Sequence, residues 1–406
     1  MRADECMDTQ AVTMSGNELP AALLRRWRVL DLHRTKRVCF ISRFALIVLA
    51  PIQYSLCMAS VSFTNAPPLV VSDDAHAVVA SDLDNDGVPD LVIAYGIDSH
   101  VSVFIGHGDG TFVPRVDYAT GQAPIAAALA DLDGNGSVDV AVTNVYGNSV
   151  SILMGQGDGT FLPAVDYPVD AFPSAIAIGD LNGDNIPDVV VACGSSVAVL
   201  LGTGGGAYAP FTAIPLTSPW NSVAVVDVTK DGIPDIIVVE SVSAGTVSVV
   251  RGRGDGTFET AEAYPTGASP DFLVVGDFNR DGTEDLAVAN SYDDSISVLI
   301  GAGDGTFLPQ VPYAVGTYPW SISAADFDRD GHVDLAVTNA GAGTASFLTG
   351  KGDGTFDSQI VFMLEGNPET AVAIDLNGDG SVDFVAPTVG STVVLLNDVV
   401  FSGTFD

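Results

Sequence analysis

Seven times along this 406-residue chain, acidic side chains recur at alternating positions of a nine-residue stretch, Asp-x-Asp-x-Asp-Gly-x-x-Asp or a close variant. The candidate metal-ligand sets are Asp82, Asp84, Asp86 and Asp90; Asp131, Asp133, Asn135 and Asp139; Asp180, Asn182, Asp184 and Asp188; Asp227, Thr229, Asp231 and Asp235; Asp277, Asn279, Asp281 and Asp285; Asp326, Asp328, Asp330 and Asp334; and Asp375, Asn377, Asp379 and Asp383. Side-chain oxygens at positions one, three, five and nine, with a backbone carbonyl at seven, suit a hard cation such as Ca2+. Glycine at position six allows the sharp turn. Up to seven structural calcium ions are therefore expected. The sets differ: the first and sixth are all carboxylate, the third has Asn185 in the glycine position, and the fourth offers only the Thr229 hydroxyl at position three. A bare Asx-type turn is the alternative. An EF-hand is excluded, because the flanks are β-patterned and the last acid comes too early.

The motifs begin at Asp82, Asp131, Asp180, Asp227, Asp277, Asp326 and Asp375, in steps of 47 to 50 residues. A period of this size means a propeller, solenoid or array of one repeated unit. Within a repeat, short apolar or alternating runs such as Ile125–Ala130, Val138–Thr143 and Val150–Met154 are separated by turn signals, which gives four strands per unit. A glycine-rich turn, mostly Gly-x-Gly-Asp-Gly-Thr-Phe, starts at Gly106, Gly155, Gly202, Gly252, Gly301 and Gly350. It lacks the lysine and following helix of a phosphate loop. The tripeptide Arg253-Gly254-Asp255 is this same turn. An aromatic residue lies 19 positions before every motif, the first being Phe63. The chain thus enters with an unattached fourth strand and ends where a seventh would begin. The expectation is an all-β, seven-bladed propeller of four-stranded blades, its ring closed by the N-terminal strand near Phe63.

From residue 61 onward the chain holds 46 acids against seven bases, and 23 of those acids occupy motif positions. Such charge repels nucleic acids and anionic membranes. Residues 1–59 differ. Arg25, Arg26, Arg28, Arg34, Lys36, Arg37 and Arg43 precede an apolar stretch, Phe44–Ala59. This reads as a secretory leader or N-terminal anchor, with residues 60–406 as the propeller and an extracellular or surface location. Cys193 is the one cysteine beyond the leader, so no disulfide framework exists.

The acidic motif, the Gly-x-Gly-Asp-Gly-Thr-Phe turn and the period resemble FG-GAP/VCBS repeat proteins, the propeller head of integrin α subunits and a seven-bladed fungal lectin of the same repeat type. The resemblance runs from Phe63 to the C-terminus. It implies calcium in the loops between first and second strands and ligand recognition on the opposite face. The seventh copy departs from the pattern, with Val399-Val400-Phe401-Ser402 in place of the glycine-rich start.

Acidic loops and glycine turns share one face and vary little between repeats. The other face varies, as recognition surfaces do. Six positions before successive motifs stand His76, Ile125, Ser174, Asn221, Asp271, Trp320 and Glu369; Trp220 adjoins Asn221, and Tyr95, Asp98, His100, Tyr146, Glu240, Tyr292, Asp293 and Asp294 add to that face. His76, Trp220, Asn221, Asp271, Tyr292, Trp320 and Glu369 are the candidate ligand-binding residues, because aromatic rings beside carboxylates suit sugars or peptides. Plugging the rim is the alternative role for the tryptophans. A monomeric recognition or adhesion module for carbohydrate or protein ligands is expected. The competing class is a calcium-dependent polysaccharide lyase or hydrolase, for which Asp271 and Glu369 are a conceivable carboxylate pair.

Overall fold

The computed structural model describes residues 58–69, 71, 75–241, 244–364, 366–388, 391–397 and 400–402. The expected leader lies outside them, apart from the last two residues of its apolar stretch. The compact unit is Cys57–Asp406. Its described residues contain no helix.

Every second strand opens on the last aspartate of a motif: Asp90–Tyr95, Asp139–Asn144, Asp188–Cys193, Asp235–Glu240, Asp285–Asn290, Asp334–Asn339 and Asp383–Thr388. These strands are buried along their whole length, as are three of the third strands beside them, Ser149–Leu153, Ser196–Leu200 and Thr344–Leu348. The reason is packing on both faces, which fits the Val/Ile/Ala runs rather than a polar–apolar alternation. Each second strand pairs antiparallel with an inner strand and a third strand, and an exposed outer strand completes the four. Seven such sheets form.

The inner strands are Ala75–Ser81, Pro124–Ala130, Ala175–Gly179, Pro219–Val226, Pro270–Gly276, Pro319–Ala325 and Val372–Ile374. Each packs against the next, and the seventh against the first. The core is accordingly split into wedges between neighbouring blades. One joins Leu83, Val92 and Val101 to Val140 and Val142. Another joins Leu376, Val385 and Val394 to Val78, Leu91 and Ile93, across the seam where the chain meets itself. The architecture is a closed seven-bladed propeller.

Closure follows the expected register. Phe63–Asn65 pairs antiparallel with Leu395–Asn397 as the outer strand of blade seven. A second pairing, Met58–Ser60 with Val400–Ser402, extends the same seam. The Phe63 ring sits 4.6 Å from Phe347, 5.1 Å from Phe362 and 6.5 Å from Phe327, centroid to centroid. No sheet edge is left inside the ring, which is what makes a propeller self-limiting.

The glycine turns lock successive blades. Gly159 N–H donates to Leu83 O of the preceding blade at 3.1 Å. Its φ is +77°, and a Cβ there would lie 2.6 Å from Ile105 Cδ1. Only glycine satisfies both conditions.

Phe63→Ala should lower the unfolding free energy by about 2–4 kcal/mol, as loss of a packed aromatic does. Val116→Ala on the exposed outer strand should change it by less than about 0.5 kcal/mol. Urea titrations of the two variants decide whether the seam carries this weight.

Candidate functional site

In all seven loops the position-nine carboxylate is buried and grips two backbone N–H groups, one from each end of its own blade's acidic face. Asp90 Oδ2 accepts from Leu83 N at 2.8 Å and Oδ1 from Gly106 N at 2.8 Å. The same pair of bonds joins Asp139 to Leu132 and Gly155, Asp188 to Leu181 and Gly202, Asp235 to Val228 and Gly252, Asp285 to Phe278 and Gly301, and Asp334 to Phe327 and Gly350. In blade seven Asp383 takes Leu376 N and Asn397 N, so the seam copy keeps the bridge without the glycine.

The first aspartate folds the loop over itself. Asp82 accepts from Asp86 N and Gly87 N, and Asp326 from Asp330 N and Gly331 N. Two residues per loop are left-handed, at positions four and six. Position four is Asn85, Lys230, Arg280 or Arg329 in four of the copies, at φ between 57 and 62°. Holding long side chains there costs energy that the aspartate bonds must offset.

The donor sets differ as their compositions imply. Three carboxylates bring ligand oxygens within 4.8 Å of one another in three loops: Asp82, Asp84 and Asp86; Asp131, Asp133 and Asp139; Asp326, Asp328 and Asp334. Where asparagine holds position three, its amide relieves the crowding instead: Asn182 Nδ2 donates to Asp184, Asn279 to Asp281 and Asn377 to Asp379. Thr229 Oγ1 is engaged by Asp227 Oδ1 at 3.2 Å. Burial, opposed by the two backbone N–H bonds and assisted by neighbouring carboxylates, pushes Asp285 and Asp383 up to about 6 and Asp334 to about 7. Asp375 Oδ1 is buried with no hydrogen-bond partner. Clustered hard oxygens, destabilised as anions and in one case unpartnered, fit a divalent cation.

At the far end of the channel the inner strands begin, and there the sequence-predicted face converges. A cavity of about 420 Å3 is lined by His76, Ser174, Asn221, Trp320, Glu369 and Thr370 at its mouth. Val79, Ala127, Ile176, Val223 and Val372 form an apolar throat. His76 Nδ1 lies 3.9 Å from Glu369 Oε2. Four candidate residues, His76, Asn221, Trp320 and Glu369, thus line one space. Asp271 does not. It is buried behind Asn221, whose Nδ2 donates to its Oδ1 at 2.8 Å, and Phe272 lines the cavity instead. Tyr292 stands outside, 73% exposed, and the Trp220 side chain lies outside the described residues. Tyr95 and Glu240, grouped with the loops on sequence, end the second strands and are buried.

The device that aims these residues is a break in the ladder. The register of inner with second strand shifts between Ala75 and Ala77, Pro124 and Ala126, Pro270 and Phe272, and Pro319 and Ser321. The extra residues are His76, Ile125, Asp271 and Trp320. Bulges re-aim side chains, and three of these four face the cavity. A proline opens three of these strands and tolerates the lost ladder bond.

Charge divides between the two faces. The seven Lys/Arg beyond the leader are Arg115, Lys230, Arg251, Arg253, Arg280, Arg329 and Lys351, all in acidic loops or in the segments joining third to outer strands. The mouth-side loops and inner-strand starts have none, although the Arg115 guanidinium reaches to 5.5 Å from the Tyr95 ring centroid at the end of a second strand; that side carries Asp98, Asp170, Glu240, Asp271, Asp293, Asp294 and Glu369.

The FG-GAP-like repeat model matches residues 82–142, 131–191, 180–238, 227–288, 277–337 and 326–386, each window running from one acidic motif into the next repeat. No curated protein matches the sequence significantly. Among solved structures, the chain is similar to BBS1N in its complex with ARL6DN, at 14% identity and TM-score 0.60 over 84% of this chain and 98% of that one. A virginiamycin B lyase from Staphylococcus aureus, an inactive variant with quinupristin, matches at 14% identity and TM-score 0.56, over 83% and 99%. An Agrocybe aegerita lectin that recognises non-reducing terminal N-acetylglucosamine matches at 19% identity and TM-score 0.52, over 72% and 81%. At these identities the likeness is one of fold.

The two carboxylate roles within a loop separate by mutation. Asp133→Asn should be nearly neutral in chelator, since three other loops carry asparagine there. Asp139→Asn should cost about 1–3 kcal/mol, because its amide would turn a donor toward a buried N–H. Equal destabilisation of the two in urea unfolding would refute the bridging role.

Proposed function

This chain belongs to the FG-GAP-like repeat family, and from that premise we propose that it is a calcium-stapled recognition module whose ligand enters the pore mouth. The observation that carries the reading is the convergence of His76, Ser174, Asn221, Trp320 and Glu369, from five different blades, on one cavity. A polar, partly aromatic rim over an apolar throat is how small-molecule sites are built. Sugar termini and short peptides are the ligand classes that fit, and the lectin sharing this fold is a precedent for sugar. The lyase alternative loses support, because the mouth-side loops and inner-strand starts offer no lysine or arginine to neutralise a uronate carboxylate.

Calcium belongs to the other face. Asp82, Asp84, Asp86 and Asp90, and Asp326, Asp328, Asp330 and Asp334, would hold it most strongly, with Asp131, Asp133, Asn135 and Asp139 next. The asparagine-bearing loops would follow, and the Thr229 loop would come last. The ion would neutralise carboxylates that burial and crowding disfavour, and so act on stability. A location outside the cytoplasm, where modules of modest affinity meet about millimolar calcium, belongs to this proposal; the basic and then apolar residues 25–59 support it.

Two measurements test this. Scanning calorimetry should show a higher melting temperature in calcium than in chelator, each loop adding about 2.7 kcal/mol when free calcium is about a hundredfold above its dissociation constant. Asp328→Ala should remove one strong site in a calcium titration, and Thr229→Ala none. An unchanged melting curve would sink the staple. Separately, Trp320→Ala should abolish binding on a glycan and peptide array while leaving the calcium stoichiometry intact. Array binding that survives it would move the ligand away from the pore.

A further inference from the structure

Three aromatic rings form a strip that leads across blades five and six into the cavity. Tyr292 and Tyr318 lie 6.3 Å apart between centroids, and Tyr318 and Trp320 6.1 Å apart with planes at 15°. Trp320 lines the cavity, while Tyr292 and Tyr318 are 73% and 38% exposed. Tyr318 sits at φ +55°, directly before Pro319, and its N–H donates at 2.9 Å to Oδ1 of Asp294, at φ +48°. The same left-handed positions recur at Ala123, Phe172 and Ser269 and at Ser99 and Asn148, so the repeat's backbone sets the geometry and the side chain at this position decides what is displayed.

Carboxylates flank both ends. Glu369 lines the cavity with Trp320, and the exposed Asp293 and Asp294 follow Tyr292 at the outer end. Asp271 lies buried behind Asn221. No lysine or arginine stands in the mouth-side loops or inner-strand starts to compensate. Flat apolar rings beside an acidic rim, whose Glu369 has only the His76 imidazole, 3.9 Å away, as a basic neighbour in the cavity, attract an apolar surface that carries ammonium groups, through stacking, cation–π attraction and charge-assisted hydrogen bonds.

We propose that the strip Tyr292–Tyr318–Trp320 and the adjoining cavity bind a chain of amino sugars bearing free ammonium groups. This rests on the pore-mouth reading above and names its ligand class. A sugar chain presents an apolar ring face at every unit and so can meet successive aromatic rings. An extended peptide turns alternate side chains away, and would meet the strip with every second residue. Uronic-acid and sulfated chains are repelled.

The test is titration calorimetry of the full chain in calcium with three probes: a β-1,4-linked glucosamine hexamer, its N-acetylated counterpart and an oligogalacturonate of the same length. The glucosamine hexamer should bind at least about tenfold more tightly than the acetylated one, and the galacturonate not at all. Raised salt should weaken the first but leave the second nearly unchanged. Tyr292→Ala, at an exposed position that leaves the fold intact, and Tyr318→Ala should each weaken the glucosamine probe by about three- to tenfold or more. Glu369→Gln, at a carboxylate that lines the cavity, should erase the preference for amine over acetamide. Equal or stronger binding of the acetylated hexamer, lost with Trp320→Ala, would overturn the amine inference and leave the pore-mouth reading standing. Glycan binding indifferent to Tyr292, Tyr318 and Trp320 would overturn both.

Discussion

One carboxylate per blade, the last of each acidic motif, holds together two loops that are otherwise far apart in sequence. Its oxygens accept one N–H from the acidic loop and one from the start of the turn into the outer strand, seven times over. These are buried bonds to a charged acceptor, the kind whose loss is most costly. They also set the register: because that aspartate is residue one of every second strand, fixing it fixes which valines and leucines face each neighbouring wedge. The blade-to-blade lock then follows. The turn that the aspartate anchors is the one whose glycine reaches Leu83 O in the preceding blade, with equivalents at Gly256, Gly305 and Gly354.

The acidic face is stiff for this reason, and the mouth is built differently. Inner strands of adjacent blades are joined there by side-chain hydroxyls. Thr370 Oγ1 donates to His76 O and accepts from Val78 N, Ser174 Oγ accepts from Asn221 N, and Ser222 Oγ accepts from Leu273 N. Such single bonds, at 2.8 to 3.3 Å, tie strands without dictating what each presents. The same position can therefore be His76 in one blade, Ile125 in another and Trp320 in a third.

Period, strand pattern and aromatic spacing made the fold legible, down to Phe63 as the closing strand, because a repeated unit states its own boundaries seven times. The mouth was half legible. Counting six positions before each motif picked out His76, Asn221, Trp320 and Glu369 correctly as neighbours in space, but it placed Asp271 beside them. Asp271 shares its bulge with His76 and Trp320, but its carboxylate accepts from Asn221 Nδ2 at 2.8 Å and is buried there, a pairing across blades that the count does not contain. Nor did composition reveal that Lys230, Arg280 and Arg329 adopt left-handed backbone. Nothing in a lysine or arginine announces that conformation; the surrounding aspartates impose it. Tyr318 is similar, since its display depends on Asp294, which lies 24 residues earlier but across the connection in space.

The acidic loops and the cavity mouth lie at opposite ends of the same seven inner strands. An ion among Asp326, Asp328 and Asp334 would fix the far end of the strand Pro319–Ala325, at whose near end Trp320 stands. It could not touch anything in the cavity. Its influence there would be to narrow the set of positions Trp320 explores before a ligand arrives, and so to lessen the entropy lost on binding. Coupling of that kind is strongest in blade six, which combines an all-carboxylate loop with the strip's innermost ring. It is weakest in blade four, where Thr229 stands in the loop. The two strand ends thus differ in chemistry, and blade six, one of two with an all-carboxylate loop at one end, places Trp320 in the cavity at the other.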